Sequence, residues 1–430
     1  MKKISVIEAK IESISPLYIG DDEGNVLIDN ENNMAYLPAT SIAGAFRAYL
    51  NSIGEEVDHL FGETEDSQMS KIYISDCHGK VQGFERRDGV SIDGETGANK
   101  HGSKIQRLYL SEGIEFHLKF KIHMESEEDN NLKTMIYKAL NGLNKSFIRF
   151  GGHKSSGLGI FKVKSAEEME YDFNDLENLK KYLKREPVDK KDIMTEVNKE
   201  YNTIDYVEFT LKGELTTPLI IKSPRSFDPD EADDTSLKTN SGKYLIPGSS
   251  FKGVLRSRVE TISNYFGILD KAQELFGQVE REDKDNILSR IFVKEAEIDN
   301  TEYSKTVTYN RIKLDKFTSG VKYGSLMEDE PVKGSTGFHI LYRKTGDKAF
   351  DDFAIGIISL ALRDLGTENL GLGGNANIGR GRFKGSSMTI KNGAERIHID
   401  FENKRIDNEE VLSTYIAAVK KLSGEVIDNG

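Results

Sequence analysis

Sulfur chemistry is nearly absent from this chain. Cys77 is its one cysteine, so no internal disulfide can form and no cysteine cluster can hold zinc. That usage fits a reducing compartment, and a cytoplasmic location is expected. Long apolar runs are missing too. None approaches the roughly 18–20 residues that cross a bilayer, so no membrane partner is expected. The opening residues do not read as a secretory signal, because Glu8 interrupts the apolar run almost at once. Positive charge is in deficit: 59 Lys and Arg stand against 71 Asp and Glu, a net −12, which argues against a simple polyanion binder. That sum hides segregation, since residues 147–164 carry four Lys or Arg and no acid. The eight histidines are scattered without metal-ligand spacing, and neither a P-loop nor a dinucleotide fingerprint occurs. What is present is a globular composition over 430 residues, enough for two domains each with its own core.

The most informative stretch is residues 245–256, LIPGSSFKGVLR, because residues 36–47, YLPATSIAGAFR, repeat it. Aligning Pro38 with Pro247 pairs Thr40 with Ser249, Ser41 with Ser250, Gly44 with Gly253 and Arg47 with Arg256. Each copy predicts a loop ending in proline, a hydroxyl N-cap and an amphipathic helix. The first N–H groups of such a helix are unpaired and its dipole is positive there, so hydroxyls, a small residue and a basic residue at that point suit a phosphate.

Alternation and helical spacing predict a strand over 5–13, a helix over 40–51, strands over 71–76 and 114–123, a helix over 131–143 and a strand over 159–163. The order then restarts: a strand over 206–214, a helix over 249–262, strands over 290–298 and 337–343, a helix over 350–365 and a Gly-rich return over 370–384. Each half reads β-α-β-β-α-β. The expected domains are 1–165 and 205–390. Between them, 166–204 reads as a charged, solvated helical linker, and 391–430 as a C-terminal extension with a short strand and a surface helix. A shift of 384 − 162 = 222 lays FGGHKSSGLGIFK (150–162) over LGGNANIGRGRFK (372–384), and also pairs Val90, Ile92 and Asp93 with Ile312, Leu314 and Asp315. Agreement across separate segments indicates internal duplication.

A β-α-β-β-α-β domain with IPGSSxKGxLR on its first helix, a polar insertion and a terminal G-G-x-x-x-x-G-x-G loop resembles the RAMP superfamily. More narrowly, the chain is similar to a tandem fusion of two backbone subunits of type III CRISPR effector complexes. The resemblance covers 1–165 and 205–390. It implies an α+β fold of two ferredoxin-like, RRM-like domains, each with an inserted thumb hairpin, here 93–108 and 315–327. It also implies a guide RNA (crRNA) partner, a paired target RNA and other effector subunits. The first unit departs from the pattern at Ala39, Ala43 and Leu158, where the second has Gly248, Lys252 and Arg380.

Residue by residue, the resemblance places RNA contacts on Thr40, Ser41, Gly44 and Arg47, and on Ser249, Ser250, Lys252 and Arg256. The glycine returns add Gly151, Gly152, His153 and Lys154, and Gly373, Gly374, Asn375, Arg380 and Arg382. Glycines there let a phosphate approach the backbone and supply N–H donors, and such contacts are blind to sequence. In catalytic members an Asp in the loop after the first strand cuts the target with a divalent metal. Counting back from Pro247 lands on Asp233, with Asp234 beside it; counting back from Pro38 lands on Gly24, with Asp22 or Glu23 the nearest carboxylates and Asp21 beside them. Mg²⁺ or Mn²⁺ would be held by Asp22 and Asp233, without a role in folding. The expected activity is therefore metal-dependent endoribonuclease cleavage of target RNA. A guide-holding backbone without nuclease activity, a guide-processing endoribonuclease and a duplicated ligand-binding protein are the alternatives.

Overall fold

The computed structural model describes residues 2–21, 24–29, 31–63, 69–92, 100–201, 206–224, 231–278, 287–299 and 308–427. The fold is α+β, with largely antiparallel sheets. Two compact units result: Met1–Glu85, Leu108–Lys154 and Leu158–Ile204 form one, and Arg86–Arg107, Ser155–Gly157 and Asp205–Gly430 the other.

In the first unit the chain runs through β1 (Lys3–Ser13), α1 (Ala39–Ser52), β2 (Ile72–Ile74), β3 (Glu115–Met124), α2 (Asn130–Asn144) and β4 (Phe161–Asp172). The sheet order is β4-β1-β3-β2, every pair antiparallel. Alternation in β3, EFHLKFKIHM, buries Phe116, Leu118, Phe120 and Ile122 on one face. Phe46 of α1 stacks on Phe120 with centroids 5.4 Å apart, and Phe150 meets Phe161 edge-on at 5.3 Å. The other face carries cross-strand ion pairs, among them Lys10–Glu115 at 2.8 Å and Lys119–Glu8 at 2.9 Å.

The second unit repeats the plan with β5 (Tyr206–Leu215), α3 (Gly248–Tyr265), β6 (Ile291–Val293), β7 (Ser335–Arg343), α4 (Lys348–Gly366) and β8 (Arg382–Asn392), in the order β6-β7-β5-β8. Even an irregularity recurs: the β1–β4 register shifts after Lys10, and the β5–β8 register after Lys212. Phe338 is sandwiched between Phe251 at 4.3 Å and Phe383 at 5.2 Å.

Three expectations change. The strand entering residues 166–204 does not stop at 163; β4 continues to Asp172, paired with β1 throughout, and Lys191–Asp192 adds to its outer edge. Charge alternating with apolar residues up to Asp172 marks a half-buried strand, and the expected solvated helix follows it over Leu176–Lys184. The stretch over 290–298 is two strands, Ile291–Val293 and Ala296–Ile298, in different sheets. The C-terminal extension is integral to the core: β9 (Glu395–Asp400) extends the sheet from β8, and α5 (Glu409–Ile427) packs on α4 with Tyr415 and Val419 buried. Gly356 makes this approach possible, since a Cβ there would lie 2.1 Å from the Tyr415 carbonyl oxygen.

Candidate nucleic-acid interface

Both helix starts follow a short strand and a proline, but neither has a hydroxyl N-cap. Pro38 and Pro247 occupy the cap positions and no side chain caps either helix. Thr40, Ser41, Ser249 and Ser250 fall in the first turns instead. The α1 tip is already satisfied by an anion, since Ala39 N–H donates to Asp76 Oδ1 at 2.7 Å. That bond, reinforced by the Tyr36 hydroxyl, holds the Asp76 carboxyl below the usual carboxylate range. At the α3 tip, a Cβ on Gly248 would fall 2.2 Å from the Ser156 carbonyl oxygen, so glycine is required for packing. Gly44 and Gly253 differ: nothing lies within 4 Å of where their Cβ would be. Internal packing gives no reason for these helical glycines, each about 1 kcal/mol less favourable than alanine. The basic residues nearby are engaged: Arg47 pairs with Asp58 at 2.6 Å, Arg256 with Glu260 at 2.7 Å, and Lys252 donates to Ser289 Oγ at 2.8 Å.

The glycine returns have matching geometry. Gly151 and Gly373 adopt φ of +81° and +68°, followed by left-handed His153 and Asn375. Gly152 N–H donates to the Tyr18 carbonyl at 2.7 Å, and Gly374 N–H to the Ile220 carbonyl at 2.8 Å. These amides therefore clamp the loop after the first strand of each unit and are not offered outward, a correction to the expected phosphate donors. His153 and Lys154 are exposed, with the His153 ring 5.7 Å from Tyr18 and 6.4 Å from Tyr109. Arg382 donates to the Glu368 carbonyl at 2.9 Å. Arg380 is only 9% exposed and forms a buried ion pair with Asp329.

The acidic loop of the second unit lies against these elements. Asp233 is exposed, and its Oδ2 accepts from Glu328 N–H at 3.0 Å. Asp234 is 3% exposed, paired with Lys222 at 2.5 Å and held in a short parallel ladder with Asp329. Of the two candidates, only Asp233 faces solvent. Among the described residues no group of three or more His, Cys, Asp or Glu is placed to hold a metal. A single exposed carboxylate suits an ion that keeps most of its waters. Asp22 lies outside the described residues; neighbouring Asp21 uses its carboxylate in a turn, accepting from Asn25 N–H at 2.7 Å.

Beside Asp233 rises an arm bounded by Tyr309–Arg311 and Met327–Glu330, paired antiparallel. Its tip is closed by a Leu314–Val321 bridge, and by the Asp315 carboxylate accepting from the Phe317 and Thr318 amides at 3.0 Å each. Phe317 is 97% exposed and Tyr323 fully so, flanked by Lys313, Lys316 and Lys322. In the first half Phe84–Gly89 and Ile105–Leu110 form the corresponding two-stranded pair; of the expected thumb there, 93–99 lie outside the described residues. Sequence reasoning singled out neither the two arm aromatics nor Asp76. The aromatics had a signal, as apolar rings amid lysines in an otherwise polar insertion; Asp76 had none, being 37 residues from the amide it caps.

In comparison with known proteins, the model of the RAMP superfamily matches residues 10–162 and again 212–384. No curated protein matches. Among solved structures, a chain of the "Cryo-EM structure of the Type III-B Cmr-beta bound to cognate target RNA" matches at 16% identity with a TM-score of 0.32, over 39% of this chain. The match spans 61% of that chain's length.

Proposed function

The chain belongs to the RAMP superfamily, and from that we propose that it is a backbone subunit of a cytoplasmic type III CRISPR ribonucleoprotein, holding guide RNA on two ferredoxin-like units and cleaving paired target RNA. The strand orders β4-β1-β3-β2 and β6-β7-β5-β8 support the ferredoxin-like reading, and the IPGSSxKGxLR signature supports the type III assignment. One observation carries the function: an ordered arm bearing exposed Phe317 and Tyr323 stands next to exposed Asp233. Bare aromatic faces with lysines around them suit stacking on bases and pairing with phosphates. A carboxylate at the foot of such a wedge lies where a displaced nucleotide would present its 2′-hydroxyl.

Cleavage would form a bond from O2′ to the adjacent phosphorus and break the P–O5′ bond, leaving a 2′,3′-cyclic phosphate and a 5′-hydroxyl. The 2′-hydroxyl proton leaves to a base and the departing O5′ takes one up. Asp233 would hold a divalent ion, which when bound stabilises charge on the phosphate oxygens. Glu328 N–H orients the Asp233 carboxylate, and the Lys222 pair keeps Asp234 out of reach of solvent.

The test uses the complex assembled with guide RNA and its companion subunits, given a labelled complementary target. Asp233→Ala is expected to lower cutting at the position beside the second arm by about 10²-fold or more, with guide content unchanged. Undiminished cutting would leave the guide-holding reading.

A further inference from the structure

Asp329 has no exposed surface, yet it places a carboxylate in the strand that closes the arm. Two arginines converge on it from different segments. Arg311, on the rising strand of the arm, places Nε 3.2 Å from Oδ1, and Arg380, from the glycine return, pairs with Oδ2. The Arg380 guanidinium also covers the Tyr309 ring, 5.0 Å from its centroid. The same strand carries the Asp233 loop on its other side: Asp234 and Thr235 pair with Asp329 and Glu330, Glu328 N–H donates to Asp233, and Ser236 Oγ donates to the Glu330 carbonyl at 2.8 Å. One buried carboxylate thus joins both strands of the arm to the glycine return, directly behind the loop bearing Asp233.

The first repeat cannot build this junction. The shift of 222 that aligns the repeats also aligns Leu110 with Val332, and these bridge to Leu17 and Leu219 respectively. It puts Arg107 where Asp329 stands (329 − 222) and Leu158 where Arg380 stands (380 − 222). A buried Asp–Arg pair that could have been apolar, as Leu158 illustrates, is weak support for stability but a strict constraint on geometry.

We propose that Asp329, Arg380 and Arg311 form a positioning hub, special to the second repeat, that fixes the Asp233 loop against the arm so that cleavage occurs at that arm. This rests on the reading of Asp233 given above. Arg380 is accordingly a positioning residue and not a phosphate contact.

The test compares Arg380→Leu, Arg380→Lys and the double variant Arg380→Leu/Asp329→Leu in the guide-loaded complex. The double variant removes both charges together and so leaves no lone buried charge to prevent folding. Single-turnover cleavage beside the second arm is expected to fall by about 10-fold or more in Arg380→Leu and in the double variant, with partial recovery in Arg380→Lys. The target concentration for half-maximal rate stays unchanged, and hydrogen exchange rises at the Glu328 amide. Wild-type cleavage in the double variant overturns the hub. So does a loss expressed only as weaker RNA binding with the saturated rate intact, since Arg380 would then be an RNA contact. If Asp233→Ala cuts normally the functional reading itself fails; if Asp233→Ala is inactive while the Arg380 variants cut normally, only the hub fails.

Discussion

Asp129 shows how much one side chain organises. It is 1% exposed at the N-cap position of α2, and its carboxylate bonds outside that helix, accepting from the upstream Glu125 and Ser126 amides at 2.7 and 3.1 Å, with Lys71 Nζ at 2.8 Å and His59 Nε2 at 2.9 Å. Burial opposes its charge, but Lys71, the two amides and His59 outweigh that and hold the carboxyl well below the usual range. Because the folded pKa is depressed, the stabilisation is present above the unfolded value, about 4, and is lost as pH falls through the folded one. Asp129→Asn is expected to cost about 2–3 kcal/mol at pH 7, and the gap from the parent protein should close as the pH drops below about 4; urea unfolding across pH checks both. None of this was legible, because the partners are 58 and 70 residues away. Arg380 failed for the same reason: a basic residue in a glycine loop reads as a phosphate ligand until Asp329, 51 residues earlier, is found against it. Gly44 and Gly253 were read by their place in a repeated motif, and only the structure shows the open space beside them.

Among the elements, the arm of the second unit is the most exposed apolar feature described above. Burying neither Phe317 nor Tyr323 stabilises nothing in the chain itself, so replacing them should leave the fold intact. Phe317→Ala and Tyr323→Ala are each expected to weaken RNA binding by about 1–3 kcal/mol without lowering the thermal midpoint, measured by titration of labelled RNA beside a melting curve. Hydrophobic periodicity placed the six principal elements of the first unit and the first five of the second, since β3 alternates cleanly and α2 keeps helical spacing. It failed where the period was short or mixed. β4 runs into a Glu- and Lys-rich stretch whose alternation is masked by charge, and α5 carries a core face that only α4 identifies as buried.

For the molecule as a whole, a net charge of −12 coexists with a proposed role on RNA because so many cations are internally engaged. Arg47, Arg256, Lys252, Arg380 and Arg382 all have protein partners. With these expected contact residues engaged, few of them would displace counterions, so guide binding should depend weakly on salt, with log K falling against log salt at a slope shallower than about −3. A steeper slope from filter binding at several salt concentrations would show that these pairs open to phosphates.

Sequence alone determined the duplication, the element order within each repeat and the family, because these follow from local periodicity and from motifs that recur in the same order in both halves. It could not decide which charged residues face outward. That depends on partners distant in the chain: Asp76 on the first helix tip, Asp329 beneath Arg380 and Lys222 against Asp234. A charge looks the same in sequence whether it is desolvated against an opposite charge or bare to solvent, and only folding brings the opposite charge to it.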